Sequence, residues 1–373
     1  MYLQTIQLVN FKNYEELALN FSPQINTFLG ENGSGKTNLL DAIHYLALTK
    51  SAFNSIDSQN IRYQEEWAII QGNFQIEGQV HNVSCSLRVG QKKIFSFDKK
   101  PYSKIADHIG KIPIVLIAPQ DSQLIDEGSE TRRSFLDSMI CQFNLKYLYD
   151  LMQYNHLLKQ RNSLLKQFAE QNKIDKDLIE VYDTQLLPLN YTLWHTRQQF
   201  MQQFQPIFQE NYKIISQQKE QTQLVYQSQL NELNFEQNFR NSLDKDILLQ
   251  RTSYGIHKDD LDFLIQTYPL KKNASQGQQK SFLIALKIAQ FEILRQQTTQ
   301  KPLLLLDDIF DKLDENRIKT LLTLIAKQNF GQIFLADARP ERSSTLLKNI
   351  QVERKNFFIQ KGKVQSEALE YQC

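Results

Sequence analysis

The chain has 373 residues, 41% of them hydrophobic and 23% charged. That is enough apolar material for a large core, and it excludes an intrinsically disordered chain. Lys+Arg is 43 and Asp+Glu is 41, a net charge of +2, which excludes a polycation that binds nucleic acid through bulk charge and leaves only local patches. At ~100–200 residues per domain the length suggests two domains, or one large domain with an insertion. No apolar run reaches the ~18–20 residues of a membrane span. Met1 to Asn10 shows no basic region leading into an apolar one, so no secretory leader and no membrane partner are expected. Cys85, Cys141 and Cys373 are far apart and in no metal-ligand spacing. They suggest a reducing, cytoplasmic setting.

The first 30 residues read as strands. Leu17, Leu19 and Phe21 alternate with polar positions in Tyr14 to Phe21, and Ile25 to Leu29 is a short strand ending at Gly30. From Lys36, apolar residues at 39, 40, 43, 46 and 47 follow helical spacing. Strand-like runs return at Trp67 to Ile76, His81 to Val89 and Lys93 to Phe97, and a buried strand is expected at Ile112 to Ala118. From Arg132 to Asn241 the chain has two prolines, little glycine, and apolar residues at helical intervals, which predicts long packed helices. Strand character resumes at Leu261 to Ile265. A helix is expected from Gln276 to Arg295. The run Leu303 to Leu306 is of the kind buried on both faces of a parallel sheet. A helix at Asn316 to Ala326, a strand at Gln332 to Ala336, a helix at Ser343 to Leu347 and a strand at Phe357 to Ile359 complete the reading. Together these predict an α/β domain made of residues 1–118 and 255–373, interrupted by a mainly helical insertion at 119–254.

Gly30-Glu31-Asn32-Gly33-Ser34-Gly35-Lys36-Thr37 matches G-x-x-x-x-G-K-[ST], with a strand before it and a helix after it. Glycines let the backbone curl so that successive N–H groups face one anion, and the helix N-terminus adds partial positive charge. In this pattern Lys36 reaches the β- and γ-phosphates of ATP, and the Thr37 hydroxyl ligates Mg²⁺. Asp307 and Asp308 end the second apolar strand, where ligands of parallel sheets bind. Asp307 is expected to hold Mg²⁺ and Asp308 to orient or deprotonate the attacking water, with slow hydrolysis because the acid is short.

Ser275-Gln276-Gly277-Gln278 opens a helix about 30 residues upstream of Asp307. A hydroxyl and free N–H groups there suit either an ordinary cap or an anion. In this order and spacing the segment resembles the signature motif of ABC-type ATPases, and Phe310 to Asp314 resembles their D-loop. Within that superfamily the chain most resembles the RecF family. The resemblance rests on Leu8-Val9-Asn10-Phe11-Lys12-Asn13-Tyr14, Gly30 to Thr37, Arg132-Arg133-Ser134-Phe135-Leu136-Asp137, Gly255-Ile256-His257-Lys258-Asp259-Asp260-Leu261, Ser275 to Gln279 and Leu305 to Asp308.

That resemblance implies an ABC-type ATPase head with a mixed sheet and flanking helices. It implies an ATP-driven homodimer in which Ser275, Gly277 and Gln278 face the other copy's nucleotide. It further implies Lys12 and Asn13 near the adenine and α-phosphate, and a weak DNA-dependent ATPase acting at single-strand gaps with RecR and RecO. Gln120 stands where the family usually has Glu, and is assigned to bridge Mg²⁺ and water. Asp337 stands where ABC proteins often have the switch His. A transporter-type ATPase and an SMC-like head are the competing readings. Lys92, Lys93, Lys99, Lys100 and Lys104, with Asp98 the only acid among them, give a local charge of +4. This segment is either a DNA-phosphate contact without sequence reading or a solvated hairpin.

Overall fold

The structure, a computed structural model, describes residues 1–171, 174–217, 220–309, 330–341 and 353–370. The expected D-loop at Phe310 to Asp314 and the helices at Asn316 to Ala326 and Ser343 to Leu347 lie outside the described residues. The chain divides into two compact units: Met1–Asp121, Ile214–Gln218 and Gln276–Cys373, and Ser122–Lys213 with Lys219–Ser275.

The first unit begins with β1 (Tyr2–Phe11), β2 (Tyr14–Asn20), β3 (Ile25–Leu29) and α1 (Lys36–Leu48). It continues through β4 (Trp67–Ile76), β5 (Gln79–Arg88), β6 (Ile94–Phe97), β7 (Lys100–Pro101) and β8 (Ile114–Ile117). The second unit holds α2 (Gln123–Asp126), α3 (Ser129–Cys141), α4 (Leu145–Gln171), α5 (Lys176–Ser216) as far as Lys213, β9 (Thr222–Gln227), α6 (Phe235–Asn241), α7 (Leu243–Leu249), β10 (Asp260–Ile265), β11 (Tyr268–Pro269) and α8 (Leu270–Asn273). The chain then returns to the first unit with α9 (Gln276–Gln297), β12 (Leu303–Asp307), β13 (Ile333–Asp337), β14 (Arg354–Gln360) and β15 (Lys363–Glu370).

Two six-stranded sheets build the first unit. One has the order β2-β1-β4-β5-β6-β7 and is antiparallel throughout. Its strands alternate, with Ala68, Ile70 and Phe74 and then Val83, Cys85 and Leu87 buried, as a sheet with one packed face requires. The other has the order β15-β14-β3-β13-β12-β8 and is parallel except for the β14–β15 hairpin. All five residues of β3, β12 and β13 are buried, the continuous pattern of strands covered on both faces. The apolar residues of α1 join one core with residues of both sheets. At its centre the ring of Phe21 lies 5.0 Å from Phe334 and 5.6 Å from Phe357. Truncating a ring such as Phe334 to Ala would cost about 3–5 kcal/mol in lost transfer and cavity energy.

The second unit is mainly helical, as the spacing predicts. Its longest helix, α5, runs 41 residues through Pro188 and Pro206. An interior proline costs a helix about 3 kcal/mol or more, and here the burial of Leu186, Leu193, Phe204 and Phe208 outweighs it. The unit also carries a three-stranded sheet, β11-β10-β9, whose strand β9 the helical reading missed. Residues 260–265 pair antiparallel with 222–227, from Asp260 opposite Gln227 to Ile265 opposite Thr222. That pairing keeps residues 255–275 with the second unit, so the chain returns to the first after Ser275 rather than after Tyr254.

Candidate nucleotide site

The loop Gly30–Gly35 leaves the end of β3 and runs into α1, so the first turn of that helix faces whatever the loop encloses. Gly33 and Gly35 hold φ of 79° and 120°, a region closed to most side chains. A Cβ on Gly35 would lie 2.6 Å from the Asn13 amide and 2.9 Å from the Tyr14 hydroxyl. Those two residues brace the loop, Asn13 Nδ2 donating to Ser34 O at 3.2 Å and Tyr14 Oη to Gly35 O at 3.0 Å. Asn13 is itself held by Asn38 Nδ2 at 2.7 Å.

Lys36 is buried, and its ammonium donates to Gly30 O at 2.8 Å and Glu31 O at 3.0 Å, so the cation spans the loop. Thr37 Oγ1 donates to both carboxylate oxygens of Asp307, at 3.0 and 3.1 Å. Parallel register explains that meeting. Asp307 lies opposite Ala336 on β13, and Asp337 lies opposite Leu29 on β3. Three strands therefore end side by side at the loop. Asp308 follows with φ of 43°, its N–H donating to Ala336 O at 3.1 Å. Burial, with the neighbouring Asp308 charge, raises the Asp307 carboxyl to about 6, while the Thr37 hydroxyl and Lys36 act in the opposite direction. Asp337 is buried, and its carboxylate accepts the Arg339 N–H at 3.0 Å.

The residues fit a nucleotide phosphate chain. The Ser34 hydroxyl is buried inside the loop and has no hydrogen-bond partner in the protein, and a buried hydroxyl left unmade costs about 1–3 kcal/mol. Phosphate oxygens would satisfy it. Thr37 and Asp307 offer the hard oxygen donors that Mg²⁺ prefers.

The other expected residues scatter. Lys12 forms an ion pair with the buried Asp41 of α1 at 2.5 Å, and Asp41 also accepts from Ser51 Oγ at 2.6 Å and Ala52 N at 2.7 Å. Gln120 is exposed in the turn after β8. The next residue, Asp121, pairs with Lys287 at 2.6 Å. Ser275 is exposed before α9, whose first turn contains Gly277 and Gln278. Glu31 and Asn32 are exposed at the crest of the loop.

Of the lysine set, Lys92, Lys99, Lys100 and Lys104 are exposed, and Lys93 is half-buried. Its ammonium points inward to Thr49 O at 2.7 Å and to Asp57 at 3.2 Å. Asp98 and Lys99 both have positive φ, 51° and 63°, so they form a tight two-residue turn that lifts Lys99 and Lys100 to a hairpin tip. Sequence reading missed Lys111, whose ammonium sits 4.7 Å from the Phe97 ring centroid. It also passed over Tyr14 and Asp41. Tyr14 stood in a quoted motif without a role, whereas Asp41 had no sequence signal beyond being an acid on the apolar-faced helix.

Two of the quoted blocks meet inside the second unit. Arg132 makes a bidentate pair with Asp260, at 2.8 and 2.9 Å, and Arg133 donates to Asp259 O at 2.6 Å. The Asp259 carboxylate accepts from Arg197 at 2.7 Å.

A family model described as the RecF/RecN/SMC N terminal domain matches residues 2–360. Over 357 residues the chain is 45% identical to the DNA replication and repair protein RecF of Flavobacterium johnsoniae, covering 96% of this chain and 99% of that one. The chain belongs to the RecF family. It is 46% identical over 365 residues to RecF of Cytophaga hutchinsonii, covering 98% and 97% of the two chains. Its fold matches a solved structure of the recombination mediator protein RecF with ATP, in the RecFOR pathway, at a TM-score of 0.86 and 27% identity over 98% of this chain and 97% of that one. The Smc head bound to the winged-helix domain of ScpA matches at a TM-score of 0.59 and 14% identity over 100% and 98%, a likeness of fold alone. The resemblance to the RecF family therefore holds over nearly the whole chain. Among the described residues no helix is long and apolar enough to cross a membrane.

Proposed function

We propose that this chain is an ATP-binding DNA repair protein that acts as a recombination mediator, in replication and in recombinational repair. The observation that carries this reading is the convergence of Lys36, Thr37 and Asp307 at one loop, in a RecF-family chain. Lys36 holds the β- and γ-phosphates, and the loop N–H groups cradle them. Thr37 and Asp307 hold Mg²⁺, which when bound neutralises charge on the phosphate oxygens. Asp308 orients the attacking water, Gln120 would bridge Mg²⁺ and that water, and Asp337 takes the switch position. Two copies close on ATP through Ser275, Gly277 and Gln278, bind DNA at single-strand gaps without reading sequence, and part after slow hydrolysis. RecR and RecO are the proposed partners, and the cytoplasm is the proposed compartment.

Lys36→Ala tests the nucleotide half of this reading. It removes a buried cation from beside the phosphates and leaves the glycine cradle. ATP affinity, read by calorimetry, should fall on the order of tenfold, and turnover roughly 10²–10³-fold. Equal ATP affinity and turnover in mutant and wild type would remove the loop from the mechanism.

A further inference from the structure

The phosphate loop is held from outside by two turns that are far apart in sequence. One is Lys12–Asn13, between β1 and β2. The other is Lys361–Gly362, at the tip of the β14–β15 hairpin. The Gly362 N–H donates to Ser34 O at 2.8 Å, and Asn13 Nδ2 donates to the same oxygen at 3.2 Å. The turns also touch each other, because a Cβ on Gly362 would lie 2.6 Å from Asn13 O. The hairpin presses on the start of the loop as well, where a Cβ on Gly30 would lie 2.2 Å from Ile359 O. The reason is topological. β14 runs parallel to β3 with Phe358 opposite Leu29, so the residue pair that ends β3 also brings β14 to the loop.

Peptide planarity gives this contact a consequence. The Ser34 carbonyl and the Gly35 N–H belong to one trans peptide unit and point in opposite directions. With the carbonyl pinned outward by Gly362 and Asn13, the Gly35 N–H is aimed at the opposite side, into the space the loop encloses. We infer that the Lys361–Gly362 turn is a positioning element of the nucleotide site, setting the direction of a phosphate-facing N–H from the far end of the chain. This rests on the reading of the loop as an ATP site. Coupling of this kind is reciprocal, so bound ATP also tightens the hairpin turn.

Gly90 provides a matched control. Gly362 and Gly90 both have φ of +73°, but a Cβ on Gly90 meets nothing within 4 Å. Gly362→Ala and Gly90→Ala thus place an alanine at the same positive φ, and only the first displaces Asn13. Calorimetry with ATP and Mg²⁺ on the full chain should show affinity lowered about tenfold in Gly362→Ala and unchanged in Gly90→Ala. Hydrogen exchange on wild type gives a second readout that needs no variant. ATP should slow exchange at Gly362 and leave Gly90 unaffected. A wild type that binds no ATP would overturn the underlying site reading. A wild type that binds ATP, with the two variants alike or with Gly362 exchange unmoved, would overturn the coupling alone.

Discussion

Lys93 and Lys100 sit in one lysine-rich segment and have opposite environments. Lys93, just before β6, lies on the face of the buried Phe95 and turns towards α1, whereas Lys100, opposite Phe97 on the edge strand β7, stays in water at the hairpin tip. The same dependence on surroundings governs His108. Its ring is buried, Nε2 lying 2.7 Å from Leu46 O and Nδ1 3.2 Å from the Tyr102 hydroxyl. Burial, with a smaller push from Lys111, lowers its pKa from 6.5 to about 4. The unfolded chain takes a proton near 6.5, while the folded protein refuses one until about 4. The stability this ring confers is therefore full above pH 6.5 and drains away as pH falls towards 4, by about 1.4 kcal/mol per pH unit. Asp307, raised to about 6, has the opposite sign, since the folded state protonates it first. The decisive measurement is a difference. His108→Gln should show a flatter fall of thermal midpoint between pH 7 and pH 5 than wild type, and parallel curves would refute the buried neutral ring.

At the scale of elements, the β6–β7 hairpin is the proposed DNA contact. Lys92, Lys99 and Lys100 are exposed on and beside it. Reversing these three charges should weaken binding to every DNA sequence alike and reduce the salt slope by roughly 0.7–0.9 log units per lost phosphate contact. Lys93→Ala should instead lower the thermal midpoint and leave DNA affinity in place. Unchanged affinity and slope in the triple reversal would move the DNA surface elsewhere. The strands of the parallel sheet were legible because a run such as Leu303 to Leu306 has one reading in an α/β context. Strand β9 was not. Thr222 to Gln227 is short and half polar, and only its register with β10 makes it a strand.

At the scale of the whole molecule the proposed event is closure of two copies on ATP. Asp308→Asn keeps the size and hydrogen bonding of the side chain while removing the charge proposed to activate water. ATP should then persist, and the dimer should accumulate. Ser275→Arg should leave each copy able to bind ATP and unable to close, because Ser275 is proposed to serve the other copy's nucleotide. Light scattering with size exclusion, with and without ATP, separates the two outcomes. A Ser275→Arg protein that dimerises with ATP as wild type does would refute the shared site.

What the sequence determined by itself was local chemistry and its order. The phosphate loop needs small residues at fixed spacing on a strand-to-helix turn, and Gly30 to Thr37 carry that requirement in eight consecutive positions. Apolar runs of the parallel strands likewise follow from burial on both faces, which any tertiary arrangement of that class imposes. The tertiary structure decided which distant residues share a point in space. Thr37 meets Asp307 because β3, β13 and β12 are neighbours. Gly362 braces Ser34 because β14 lies beside β3. Residues 255–275 join the second unit because β10 pairs with β9. Strand pairing is a non-local choice whose free energy comes from side chains tens to hundreds of residues apart, so no short window of the sequence contains it.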